Sequence, residues 1–244
     1  MEKLIYTAMS GAEHTLLAQQ IRANNLANIN TTGFRADFER VSAAAIDGAG
    51  YQSRVMAREE QAGSNFTPGP LMQTGRKLDL AIRGEGFFTV QTADGQEAYT
   101  RAGNFTVDTE GKLLLNERPV MSDGGEIVLP EYRSLTIGRD GTISVTPPGG
   151  GAKLEAGKLK LVQPETKNLV KGADGLFRQK QGGVADASDQ VVVASGFLEG
   201  SNVNAVDELV NSMELTRSFE LQVRLMKSAD EQARLGAKLI SGQG

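Results

Sequence analysis

The chain of 244 residues has no cysteine, no tryptophan and a single histidine, His14. Without cysteine there is no disulfide framework, thiolate nucleophile, zinc–cysteine site or iron–sulfur cluster. A lone histidine excludes histidine-rich metal sites, and since a Ser-His-Asp triad would have to use it, His14 reads as a surface or interface residue. Aromatic residues are only 5% of the chain, so the core must lean on aliphatic side chains, and few rings are on offer for stacking on sugars. Charge of one sign is hardly in excess: 26 Lys+Arg stand against 30 Asp+Glu, a net charge of −4. No broad cationic surface is left to neutralise phosphates, which argues against nucleic acid. No apolar run approaches the roughly 18 to 20 residues that cross a bilayer. Met1 to Gln20 is interrupted by Thr7, Ser10, Glu13 and His14, so neither membrane insertion nor a cleaved secretory signal is expected.

What is present is distributed unevenly. All seven prolines fall between Pro68 and Pro164, and 21 of the 29 glycines fall between Gly69 and Gly200. These residues mark turns and break helices, so the middle reads as short strands and the ends are free to be long helices. At the start, Ile5, Met9, Ala12, Leu16, Ala23 and Leu26 recur in steps of three and four, with Gln19 the one polar occupant of the stripe. That spacing is one apolar helix face. The run Asn24 to Gly33 is rich in asparagine, whose side chain competes for backbone hydrogen bonds, so the helix should stop near Ile29. Near the other end Asn202 or Asn204 can cap a helix. Val206, Leu209, Met213, Phe219, Val223 and Met226 continue a second stripe essentially to the end of the sequence.

Between the ends, Asp94-Gly95 separates residues 86–92 from 97–101, and Asp140-Gly141 separates 135–138 from 142–145. Asp-Gly between such runs predicts hairpins. Further strands are expected at 105–108, 112–115, 126–129, 158–163 and 190–194. The fold class is therefore α+β: long N- and C-terminal helices forming a coiled-coil-like pair, with a central, mainly antiparallel β domain. The expected segments are an N-terminal helix (1–33), an extended connector (34–70), the β domain (71–200) and a C-terminal helix (201–244).

Enzymatic motifs fail one after another. Gly111-Lys112 and Gly157-Lys158 lack the following Ser/Thr and the earlier glycine of a phosphate loop. Gly84-Glu85-Gly86 leads into Phe87-Phe88 and a strand, where a dinucleotide fingerprint requires a helix. Asp94, Asp108 and Asp140 sit where turns need them. No catalytic residue, cofactor, metal or small-molecule substrate is expected. The terminal helices are the unusual feature: a helix from Val203 to Ile240 would be roughly 55 Å long, more than one small β domain covers. The stripes can pair within the chain, or complete their burial against other subunits and order on assembly.

The stretch Asn24-Asn25-Leu26-Ala27-Asn28-Ile29-Asn30-Thr31-Thr32-Gly33-Phe34 resembles the N-terminal signature of the bacterial flagellar rod and hook proteins. Leu78 to Ile82, Gly84 to Phe88, Ala98 to Phe105 and Leu198 to Val203 are similar to further blocks of that family, in the same order. The modest β domain fits the rod members, the proximal rod above all, better than the hook-type ones. The resemblance implies a structural, non-enzymatic subunit of the flagellar basal body, in the rod that spans the periplasm and transmits torque to hook and filament. It implies export through the flagellar type III apparatus without a cleaved signal. The partners implied are other rod subunits, joined through the terminal helices. On this reading Ile5, Met9, Leu16 and Leu26 form one assembly seam, and Leu209, Met213, Phe219, Val223 and Met226 the other. Asn25, Asn28 and Gly33, with Leu26, Ala27 and Phe34 of the signature, terminate and re-aim the first helix. The alternatives are a distal rod paralogue, or a secreted β-rich glycan-binding module with a helical dimerisation stalk.

Overall fold

The computed structural model describes residues 2–45 and 55–240, and the side chains of 6–39 and 63–236. The chain divides into two compact units: Met1–Ala27 with Asp37–Gly63 and Asn204–Gly244, and Asn28–Ala36 with Ser64–Val203. It therefore passes from one to the other four times.

The first unit holds two helices, α1 (Glu2–Ala27) and α2 (Ala205–Ile240). Asn204 caps α2: its Oδ1 accepts the Val206 N–H at 3.0 Å and its carbonyl accepts the Glu208 N–H at 3.0 Å. Asp207 and Glu208 place negative charge in the first turn, where the helix dipole favours it. The helices run antiparallel. Thr15 Oγ lies 3.3 Å from Gln222 Oε1, Gln19 Nε2 lies 3.3 Å from Thr216 Oγ, and Arg22 Nη1 lies 3.2 Å from the Glu208 carboxylate. The fully buried positions are small or polar. Ala12, Thr15, Asn25, Glu208 and Ala229 are buried, whereas Met9, Leu16, Leu209 and Met213 stand exposed. Of the expected stripe, Ala12 is buried and Leu26 half-buried, whereas Met9, Leu16 and Ala23 are exposed, each one residue, about 100° of helical rotation, beyond the less exposed Ala8, Thr15 and Arg22. At Gly11 a Cβ would come within 3.0 Å of Gln222 Nε2, the far end of that side chain.

The expected connector over 34–70 needs correction. It contains two strands, Asp37–Ala45 and Val55–Ser64, which pair with one another. Its charged residues and alanines dilute the two-residue alternation that would have announced a strand. Its first three residues and its last seven belong to the β unit instead.

The second unit is an assembly of small antiparallel sheets. The largest has five strands in the order Leu161–Val162, Phe87–Gln91, Glu97–Thr100, Phe177–Gln179, Leu169–Lys171. Its central hairpin turns at Asp94-Gly95, with Gly95 at φ +75° and Thr89 opposite Tyr99. The Asp140-Gly141 turn joins Ser134–Ile137 to Thr142–Thr146, and Leu154–Lys158 adds a third strand. Leu80, Phe88, Val90, Phe105, Leu113, Ile143 and Val193 pack in the principal core. Phe88 and Phe105 meet edge to face at 5.1 Å, a favoured geometry for aromatic pairs. Phe87, Tyr99, Val162 and Phe177 form a second cluster, with Phe66 against it.

Candidate functional site: an outward apolar face and two buried polar clasps

Among the described residues, no group of three or more His, Asp or Glu side chains is placed to hold a metal ion, and no helix is long and apolar enough to cross a membrane. His14 Nδ1 lies 3.6 Å from Glu39 Oε1. The chemistry-bearing residues converge instead on two polar clasps, one in each unit.

The clasp of the helical unit centres on Asn25, which is fully buried. Its Oδ1 accepts the Asp37 N–H at 2.9 Å, and its Nδ2 donates to the Asp37 carbonyl at 2.9 Å and to Glu208 Oε1 at 3.0 Å. One primary amide thus serves the backbone of Asp37 as a neighbouring strand would, while it also grips α2. Arg22 balances the Glu208 carboxylate. This corrects the role expected for Asn25. It lies within α1 and joins three segments; the turn that follows belongs to Asn28, whose carbonyl accepts the Thr31 N–H at 3.1 Å and whose Oδ1 accepts the Thr31 hydroxyl at 3.0 Å.

The clasp of the β unit gathers the segments around 33–36, 65–69, 101 and 199–202. Glu199 Oε1 accepts from Arg35 Nη2 at 2.6 Å and from the Gly69 N–H at 2.9 Å, its Oε2 faces Arg101 Nη1 at 3.4 Å, and its carbonyl accepts the Gly33 N–H at 2.8 Å. All three charged side chains are at least 97% buried. Burial is the main cause that brings the Arg101 guanidinium down to about 10, opposed by the Glu199 carboxylate and reinforced by the like charge of Arg35. Arg101 also donates to the Ile82 and Gly84 carbonyls. Two positions admit only glycine. At Gly33, with φ +69°, a Cβ would collide with the Arg101–Ala102 backbone, and at Gly69 it would collide with the Gly200 carbonyl. Asn202 is no helix cap but a staple: its Oδ1 accepts the Ala36 N–H at 2.7 Å, and its Nδ2 donates to the carbonyls of Asn65 and Thr67. Phe34 is half-buried under the Lys171 ammonium, 3.8 Å from the ring centroid, a cation–π contact.

The residues expected to form seams are not gathered in one place. Leu26, Phe219, Val223 and Met226 are half-buried, Met9, Leu16, Leu209 and Met213 are exposed, Ala27 is exposed, and the Ile5 side chain lies outside those described. Tyr6, Val206, Val210, Leu221, Leu225 and Leu235 are exposed too.

Three family models match the chain: a flagella basal body rod protein model over residues 5–35, a flagellar hook protein FlgE/F/G D1 domain model over 81–145, and a flagellar basal body rod FlgEFG protein C-terminal model over 194–239. The flagellar basal-body rod protein FlgF of Escherichia coli K12 is 40% identical, with 99% of each chain covered. The chain belongs to the flagellar basal-body rod protein family. It is a structural rod protein and not an enzyme. FlgF of Caulobacter vibrioides is 35% identical over 96% of each chain, and FlgG of Bacillus subtilis 31% over 95% of this chain and 96% of its own. These two FlgF members, at 40% and 35%, are thus more similar than this FlgG paralogue at 31%, and the glycan-binding alternative is not favoured.

Within this rod family member, each matched segment supplies one charge of the β-unit clasp: Arg35, Arg101 and Glu199. Sequence reasoning quoted Arg101 and Glu199 inside its motifs and gave them no role, and its N-terminal motif stopped at Phe34, one residue short of Arg35. No local signal marked them, since the neighbours of each charge in sequence do not distinguish a buried charge from a solvated one.

Proposed function

We propose that this chain is a proximal-rod-type subunit that polymerises through α1 and α2, the helices packing as coiled coils with those of neighbouring subunits to form the inner wall of a torque-transmitting shaft across the periplasm. The observation that carries this reading is the incomplete burial of the large apolar side chains of the helix pair. The residues it buries fully are small or polar (Ala12, Thr15, Asn25, Glu208, Ala229), Phe219, Val223 and Met226 are only half-buried, and Met9, Leu16, Leu209, Met213, Leu221 and Leu225 are each between 44% and 59% exposed. Full burial of one such side chain is worth about 1.5 to 3 kcal/mol, so completing the half-finished burial of these six would yield roughly 5 to 9 kcal/mol before ordering costs. Subunits repeating one heterologous contact build an open helical filament. The proposed partners are other rod subunits through these faces and the flagellar type III export apparatus, which would pass the chain without a cleaved signal. Ile5, Leu26, Phe219, Val223 and Met226 would flank the same faces.

The test is a double substitution, Leu209→Glu with Met213→Glu, at exposed positions. We expect α2 to retain its hydrogen-exchange protection in the isolated chain, while isolated hook–basal bodies lack the subunit and cells do not swim. Normal rods and swimming in that strain would refute assembly through this face.

A further inference from the structure

We infer that the Arg35, Arg101 and Glu199 cluster is a charge lock that makes closure of the β unit conditional on the arrival of residue 199. The two guanidinium groups come from segments far apart in the chain, and both converge on one carboxylate: Arg35 at 2.6 Å and Arg101 at 3.4 Å. Without that carboxylate, closing the unit would place two cations side by side in a site with 3% exposure or less. A buried charge without its partner is strongly disfavoured, and two of the same sign more so. The groups facing the cluster do not relieve it. Lys171 donates its ammonium to the Arg35 carbonyl, adding a third cation, and Glu85 acts on Arg101 only over a longer range. Arg35 Nε and Nη1, Arg101 Nε and Glu199 Oε2 have no hydrogen-bond partner even in the closed unit, and the other acceptors of Arg101 are the neutral carbonyls of Ile82 and Gly84, so among the described residues no second carboxylate bonds either guanidinium.

Backbone demands converge on the same residue. The Gly69 N–H ends on the Glu199 carboxylate and the Gly33 N–H on its carbonyl. Phe197–Glu199 pairs with Leu71–Gln73, and Val192–Ser195 pairs with the buried strand Leu80–Arg83. Arg35 and Glu199 are 164 residues apart in sequence. A chain that appears N-terminus first therefore exposes both arginines long before their counter-charge. The aliphatic residues between them, which could otherwise collapse early, are held from a settled packing until the last strand is delivered. This holds for emergence from a ribosome or from an export channel, so it does not depend on the assembly reading above.

The test uses the full-length chain with Glu199→Gln, with Arg101→Met, and with both, read by hydrogen exchange at Leu80–Ile82 and Phe88–Val90. Glu199→Gln should lower protection there by roughly two orders of magnitude. The double variant, which has one cation fewer, should regain at least part of it, a recovery that loss of hydrogen bonds alone would not produce. Protection in Glu199→Gln equal to wild type, or a double variant no better protected than that single one, overturns the inference. Pulse-labelled refolding of the wild-type chain gives an independent reading should Glu199→Gln not accumulate. Residues 80–82 and 88–90 should become protected in the same phase as 197–199, and protection of the former in an earlier phase overturns it.

Discussion

Replacing Asn25 with alanine removes three hydrogen bonds at a site closed to solvent: two with the Asp37 backbone and one to the Glu208 carboxylate. A neutral pair contributes about 0.5 to 1.5 kcal/mol and a bond to a charged group about 1.5 to 3. The sum runs from roughly 2.5 to 6 kcal/mol. Water can enter the space left by the shortened side chain and Glu208 keeps Arg22, so a value near 3 kcal/mol is expected, about a hundredfold in an equilibrium constant. The assay is hydrogen exchange at the Asp37 amide, whose acceptor is the Asn25 side chain. Its protection should fall by about that factor, and the first turn of α2 around Glu208 should loosen with it. Amides at the centre of the five-stranded sheet, in Phe87–Gln91, should not change. Gln20→Ala, at an exposed position of the same helix, serves as the control and should leave Asp37 untouched. Unchanged protection of Asp37 in Asn25→Ala, or an equal loss in both units, would refute the assignment of Asn25 as a clasp and return it to the role of a helix terminator.

Gly33→Ala should cost at least about 3 kcal/mol, because it adds a backbone collision to the roughly 1 kcal/mol of a left-handed conformation. Gly75→Ala, with similar φ and open space around it, should cost only the latter, and the two denaturant midpoints measure the difference. The Asp174 carboxyl is held below its ordinary 3.8 by the bidentate hydrogen bond from Arg178, against the opposing effect of burial. A depressed folded-state pKa gives stability that is complete above 3.8 and lost as the pH falls through the folded value. Asp174→Asn should therefore lower the thermal midpoint at pH 7 by on the order of 1 to 2 °C, as suits a partly exposed pair, and the two proteins should converge in scans taken well below pH 3.8.

What was legible in the sequence was local. The Asp-Gly turns, the Asn204 cap and the two helical stretches each follow from residues within a few positions of one another. The partners of Glu199 lie 164, 130 and 98 positions away, beyond the reach of any periodicity, and a charged residue gives no local sign of being buried. The helix faces were read from their large apolar residues, which is the usual guide to a core. Here the positions buried most fully are Ala12, Thr15 and Ala229, while the large apolar residues of the same helices are half-buried, as Phe219, Val223 and Met226, or exposed, as Met9, Leu16, Leu209 and Met213. Asn25 was ambiguous for a related reason: asparagine near a helix end ordinarily competes with the helix, and only the position of Asp37, twelve residues on, turns its amide into a clasp.

The four crossings between the units, after Ala27, Ala36, Gly63 and Val203, have a mechanical consequence. The two units are joined by four backbone connections, where an ordinary two-domain protein has a single linker. A protease that cuts one crossing leaves the two units tethered by the other three. No single peptide link between the units is therefore indispensable to their connection.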